Sequence, residues 1–590
     1  MANRSDPESC AVHREVYGEA LTGEMTGQPL SREISESGMP TLCAKAEGHT
    51  KQGANRKPCF DPSRSQTLRM SGNLLHGSWE ISSTPCEVEI EQGGTEKATS
   101  RNTVIHVDEK SDRFVVPKKL PNKAGAAEAM EERNLVKGNV EETPASRTQS
   151  REIASKGLEG VHARASKDRR CRFTALLHHI TPQLLVESFY ELKRNAAAGV
   201  DGIGWTEYEP QLYSRVHKLH REIHTGSYKA QAVRRVHIPK ADGKTRPLGV
   251  AALEDKIVQQ AVVTVLSTIY ETDFMGFSYG FRPGRSQHDA LDALYVGLHQ
   301  RRISWILDAD IKAYFDTIDH KWMMQFLAHR IADQRMLRLI RKWLTAGVIE
   351  DGIRHNSTQG IPQGAVISPL LSNIYLHYVY DLWAHRWRKQ QIGDAIIVRY
   401  ADDSIAGFQH QGTAKRFLKE LRERLACFGL ELHPDKTRLL EFGRYAAENR
   451  DSRGEGKPDV FDFLGFTHCC SKSKRGWFEV VRLTSKTRMR KTLAAIKETL
   501  KRRRHESTQE TGQWLRRVVR GYFNYFAVPG NLRRLDGFRK AVCKLWRGAL
   551  MRRSQKHCLQ WSKFGKLVDH FIPCCRLVHP YPKQRFRVTT

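Results

Sequence analysis

Arg399-Tyr400-Ala401-Asp402-Asp403-Ser404, "RYADDS", follows the apolar run "AIIV" at 395–398. Two adjacent carboxylates repel each other, yet Asp is a common turn residue, and "SIAGF" after the doublet again resembles a strand. The acids are therefore expected at the tip of a tight hairpin. Working outward, "ISWILDADIKAYFD" (303–316) alternates as a strand, with Ile303, Trp305, Leu307, Ala309 and Ile311 on one face. Asp308 and Asp310 share the other face, beside Ile306. An ordinary turn explains the doublet alone, and a strand end reaching water explains a single acid. Neither explains acids on two apolar segments 92 residues apart. Brought side by side, three carboxylates raise one another's pKa. Divalent cations remove that penalty, and two Mg²⁺ ions so placed suit phosphoryl transfer.

Charge points the same way. The 590-residue chain has a formal net charge of +31. Residues 1–150 hold 19 basic and 22 acidic side chains, whereas residues 466–590 hold 31 and 6. An excess of that size in one segment suits a polyanion, most simply nucleic acid. A plain packaging protein would have no use for the acidic cluster. The twelve cysteines include no C-x-x-C pair, so no zinc site is read from them. A reducing, cytoplasmic setting is the expectation. No apolar stretch approaches the ~20 residues of a membrane span, and no membrane partner is expected. Residues 1–165 lack a sustained helical or strand period and are expected to be largely disordered. From residue 172 onward helix-length apolar periods dominate.

Further blocks surround the acids: "AAAGVDG" (196–202), "IPKADGKTRPLGV" (238–250), "SYGFRPGRSQHDAL" (278–291), "GIPQGAVISPLLSNIYL" (360–376), "LELHPDKTRLLEFG" (430–443) and "FDFLGFTH" (461–468). In content and order they resemble the successive blocks of group II intron-encoded reverse transcriptase/maturases, from about residue 166 to the C-terminus. The resemblance implies an α+β right-hand polymerase. Fingers and palm with a small antiparallel sheet would occupy 166–470. A helical thumb and domain X with a basic C-terminal segment would occupy 471–590. It also implies RNA-directed DNA synthesis, with Asp310, Asp402 and Asp403 catalytic and Asp310, Ile311, Asp402 and Asp403 holding two Mg²⁺ ions. The implied partners are structured intron RNA, an RNA template with a DNA primer, dNTPs and target DNA, with a homodimer as one option. Many group II proteins add an endonuclease with paired cysteines; none are seen here, and that domain is expected to be absent. Family members usually read PQGG, where this chain has Ala365.

Each block also has a physical reading beside a plainer one. Lys240 and Arg246 flank an Asp242-Gly243 turn, so a hairpin would set both near a triphosphate; a solvated basic hairpin is the alternative. Phe315 matches the place where related polymerases keep an aromatic ring under the incoming sugar, against a 2′-hydroxyl; core packing is its alternative. Gln363 offers an amide to the nucleotide, and Gly364 permits close backbone approach. Lys436 is expected near the site. Arg282 and Arg285, in a Gly/Pro-bent loop, are read as template or phosphate contacts or, equally, as structural arginines. Helical patterns cover 484–504, 511–526 and 531–552. Trp514, Val518 and Tyr522 mark the core stripe of the second, leaving Arg516, Arg517 and Arg520 for phosphates. Two alternatives share part of this pattern: a non-intron reverse transcriptase such as a defence enzyme, and an RNA-binding splicing factor without polymerase turnover.

Overall fold

The computed structural model describes residues 146–239, 245–553 and 559–585. Among them, β1 (Val233–Pro239), β2 (Thr245–Val250), β3 (Trp305–Ala309), β4 (Val348–Glu350), β5 (Ile353–His355), β6 (Ala395–Tyr400), β7 (Asp403–Phe408), β8 (Arg438–Glu441), β9 (Phe461–Phe463), β10 (Phe466–Lys472) and β11 (Phe478–Thr484) form three small sheets. Their orders are β2-β1-β4-β5, β6-β7-β3-β8 and β11-β10-β9. Most pairings are antiparallel, as expected, but β1 lies parallel to β4, so the first sheet is mixed.

The middle sheet is covered on both faces. Leu307, Ala309, Ala406 and Phe408 join one core, which includes the helix Leu253–Asp273. Ile303, Ile306, Val398 and Ile405 join a second, shared with Phe461, Phe466 and the C-terminal helices. Double coverage explains why "AIIV" and "SIAGF" read as near-continuous apolar runs. β3 is shorter than its alternation suggests. Ala313 takes a left-handed φ of 47°, which turns the chain into the short helix Tyr314–Thr317.

The helix Ser146–Lys167 runs through the domain boundary expected at 165. Val161 and Ala165 are buried, and the helix packs along Leu253–Asp273, so tertiary contact orders a segment of low intrinsic apolarity. Residues 1–145 of the expected extension lie outside the described residues. Downstream stand the helices Lys486–Arg502, Thr508–Phe526, Leu532–Met551 and Trp561–Phe571. On Thr508–Phe526 the buried face is Leu515, Val519, Tyr522, Phe523 and Phe526; it includes Tyr522 of the expected stripe, with Trp514 and Val518 half-buried against the same core. Tyr522 stacks on Phe538 at 3.7 Å, while Trp514 is left at the edge under Arg503. No helix among the described residues is long and apolar enough to cross a membrane.

Candidate active site

β6 and β7 pair up to Tyr400↔Asp403, so Ala401 and Asp402 make a two-residue turn. Ala401 has φ 55°, a left-handed conformation that a residue with a Cβ adopts only when its surroundings impose it. Two neighbours impose it. Gly280 lies so close that a Cβ there would collide with the Ala401 amide. Arg399, fully buried, donates from Nη1 to the Ala401 carbonyl at 2.8 Å and to Asn373 Oδ1 at 3.1 Å. Its Nε and Nη2 grip both carboxylate oxygens of Asp381 at 2.7 and 2.5 Å, and Nη2 also reaches Ser278. Asp381 closes a widened, π-helical turn, His377–Asp381, inserted between two α-helical segments. Such turns often sit at functional sites. Sequence reading passed over Arg399 and Asp381. The available signal was a charge inside "IIVRY": an arginine there must be paired once buried.

β3 pairs with β7 up to Ala309↔Ser404, which brings Asp310 beside the tip. Burial first, and then Asp310, hold the Asp402 carboxyl above the usual range, against the pull of its own backbone amide, Arg246 and Arg399. Asp403 keeps solvent-accessible area, but protein hems in its carboxyl. That crowding first, then Asp402, Asp310 and Asp308, push it up to about 7, with Lys436 offsetting part. Lys436 Nζ is 2.7 Å from Asp310 Oδ2. The Asp310 carbonyl accepts from His433 N, and Ile311 bridges Leu432, so the Lys436 loop is tied to the end of β3. Asp308, on the same face, pairs with Arg438 at 3.3 Å, and burial raises it to about 6.

The donors are all hard oxygens, the type that suits Mg²⁺. Among the described residues no group of three or more His, Cys, Asp or Glu side chains makes a ready cage. Mg²⁺ is commonly held by one or two carboxylates together with waters and substrate phosphates, which is what acids at an open tip supply. The residues present therefore fit such an ion.

A second group adjoins the acids. Arg246 Nε donates to Gln363 Oε1 at 2.9 Å, and Gly249 N donates to the Gln363 carbonyl at 2.6 Å. Gly364 has φ 109°, and a Cβ there would stand 2.8 Å from the Gly249 carbonyl, so only glycine fits. Ala365 is buried and is not left-handed, so its methyl costs the loop nothing. Phe315 is half-buried, edge-on to Tyr314, and its carbonyl accepts from Ile361 N in that loop at 2.7 Å. Lys240 and the Asp242-Gly243 turn lie outside the described residues.

Arg282 and Arg285, read equally as phosphate contacts or as structural arginines, both make their hydrogen bonds within the protein. Arg282 is buried against Glu271 at 2.9 Å and donates to the Met275 and Ser278 carbonyls. Arg285 donates to the Gly276 and Ser278 carbonyls and stacks over Tyr279. Both brace the loop that carries Gly280, and Arg282 has no face left for phosphate. Arg516, Arg517 and Arg520 are exposed on the helix Thr508–Phe526.

A carboxylate-bearing hairpin tip, an opposing acid on the central strand and an adjoining Arg–Gln pair on a mixed α/β scaffold suit metal-assisted phosphoryl transfer. The comparisons make the class particular. Residues 238–468 match the family described as reverse transcriptase (RNA-dependent DNA polymerase), whose members generally use divalent metal ions. The protein YkfC of Escherichia coli is 33% identical over 372 residues, 56% of this chain and 92% of its own length. The group II intron-encoded protein LtrA of Lactococcus lactis is 37% identical over 207 residues, 35% of this chain and 34% of its own. A 91 kDa protein in the cob intron of Schizosaccharomyces pombe is 36% identical over 190 residues, 32% of this chain and 23% of its own. The match thus spans about a third or less of these two intron proteins. The chain belongs to the reverse transcriptase family, and part of it is similar to proteins encoded in introns.

Proposed function

We propose that the chain copies RNA into DNA at the tip of β6–β7 and also grips structured intron RNA to assist splicing and mobility. In this reading the first two sheets and their helices are fingers and palm, and the helices after β11 are the thumb and domain X. Asp310, Asp402 and Asp403 would hold two Mg²⁺ ions, which when bound stabilise the attacking and leaving oxygens of phosphoryl transfer. Arg246, with Gln363 fixed against it, would meet the triphosphate of a dNTP whose α-phosphate is attacked by the primer 3′-hydroxyl. Phe315 would lie under the sugar and disfavour a 2′-hydroxyl. Lys436 steadies the Asp310 carboxylate.

The single observation that carries this reading is the strand register that sets Asp310 beside the Asp402–Asp403 tip. Asp402→Ala is expected to abolish Mg²⁺-dependent cDNA synthesis on a primed RNA template while RNA affinity stays within about twofold. Undiminished synthesis by that variant would overturn the site. A splicing factor without turnover is the second reading, favoured only by the basic C-terminal helices; a wild-type protein that binds intron RNA but extends no primer would establish it.

A further inference from the structure

The loop that carries Gln363 has little stiffness of its own. Gly360 and Gly364 take left-handed φ values of 83° and 109°, and the helix Ser368–Leu376 begins only beyond it. Bonds from its surroundings therefore set its shape. Gly360 N donates to the Ile318 carbonyl and Ile361 N to the Phe315 carbonyl, both at 2.7 Å. Ser368 Oγ donates to the Pro362 carbonyl at 2.8 Å. β2 holds Gln363 itself, through Arg246 and Gly249. Three residues further on, Val366 N donates to Gln259 Oε1 at 2.9 Å.

Gln259 stands on the helix Leu253–Asp273 and is 2% exposed, beside the buried apolar residues Val258, Ala261 and Val262. Burying an amide costs free energy that an apolar side chain would not, unless the amide finds a partner. A buried amide so paired can be no more than a satisfied core residue, but the identity of the partners says more. One turn earlier, on the same face of the helix, Asp255 accepts from the Tyr228 hydroxyl and, at 3.1 Å, from Gln231 N. Gln231 leads into β1, whose Ile238 pairs with Arg246 of β2. One helix face thus anchors both halves of the Arg246–Gln363 pair: Asp255 the strand pair that bears Arg246, Gln259 the loop that bears Gln363.

We infer that Gln259 is a positioning residue for nucleotide binding, holding the Gln363 loop in register with Arg246 through the Val366 amide. This rests on reading Arg246 and Gln363 as the dNTP contact. Leucine at 259 keeps a similar volume and offers no acceptor. The test compares full-length wild type, Gln259→Leu and Val262→Ala, the last a buried position on the same helix that loses packing without touching the loop. Extension of a DNA primer on an RNA template is measured against dNTP and against template–primer concentration, and deuterium uptake is followed over residues 360–367. Gln259→Leu is expected to raise KM for dNTP about tenfold, to leave kcat and KM for template–primer within about twofold, and to speed exchange over 360–367 about tenfold. Val262→Ala is expected to lower the melting temperature with neither effect. An unchanged KM for dNTP in Gln259→Leu would overturn the inference, and so would an equal rise in Val262→Ala, since lost stability would then suffice. Uptake over 360–367 equal to wild type in Gln259→Leu would overturn it as well. A wild type that extends no primer would instead sink the proposed activity, and the exchange comparison would still decide whether Gln259 holds the loop.

Discussion

Arg399, Arg282 and Arg285 lie in the region beneath the acidic turn, and Arg516, Arg517 and Arg520 lie on the helix Thr508–Phe526; the two sets carry the same charge into opposite surroundings. In the first region each guanidinium is spent on a backbone carbonyl or a carboxylate inside the protein. In the second the side chains face solvent on the far side of a helix whose Leu515, Val519 and Phe523 are buried. A desolvated arginine is worth what its partners make it worth, and losing one partner leaves a buried charge uncompensated. An exposed arginine adds little to the fold and is free to trade its counterions for phosphate. The formal charge of a segment therefore does not say whether its cations bind nucleic acid. Their burial does.

The largest effect on either side of this comparison is expected at Arg399. Arg399→Ala removes both hydrogen bonds to Asp381 and the bond to the Ala401 carbonyl at once. We expect a loss of about 3–5 kcal/mol in unfolding free energy and loss of primer extension even at a temperature where the variant is folded. Arg399→Lys should recover part of the stability but little activity, because a single ammonium cannot span Asp381, Asn373 and Ala401 together. Thermal unfolding and extension by the folded fraction check this. Wild-type extension by Arg399→Ala would show that the turn holds its shape without the buried pair.

Arg282→Ala comes next. It strands Glu271 and two carbonyls in a partly buried site, and we expect about 2–3 kcal/mol of destabilisation. RNA affinity measured below the melting transition should stay within about twofold. A large drop in affinity from a variant of normal stability would return Arg282 to the nucleic-acid interface.

How much of this was visible in the sequence follows from the range of each interaction. Asp402 and Asp403 stand between two runs whose period and apolarity are local properties, so the hairpin and the opposing acid Asp310 could be read directly. Arg246 and Gln363 were each marked as nucleotide contacts, but their 2.9 Å hydrogen bond joins positions 117 apart and nothing local foretells it. Asp381 sits in a helical stretch with no period of its own to mark it, and only the fold turns it toward Arg399. Arg282 and Arg285 were left open because a Gly/Pro-bent loop is compatible with either fate. Of the core stripe expected on Thr508–Phe526, Tyr522 is buried on Phe538, while Trp514 and Val518 pack half-buried at its edge because the face centres on Leu515, Val519 and Phe523. The helix Ser146–Lys167 gave no signal because two buried side chains, Val161 and Ala165, hold its described part against the body.

The smallest stability effect is expected where the binding effect should be clearest. Replacing Arg516, Arg517 and Arg520 together with Gln removes three exposed cations and breaks no hydrogen bond or ion pair among the described residues. Glutamine keeps a similar stem and a good helix propensity, so each change should move the unfolding free energy by no more than about 0.5 kcal/mol. RNA affinity should fall and become less dependent on salt. Each phosphate contact contributes about 0.7–0.9 to the slope of log affinity against log salt, so three lost contacts should flatten it by about 2–3. An unchanged slope would mean that these arginines face water in the complex as well, and would move the grip to other basic helices. A fall in melting temperature of several degrees would mean that the helix face packs against something in solution, and the contrast with Arg282 would then disappear.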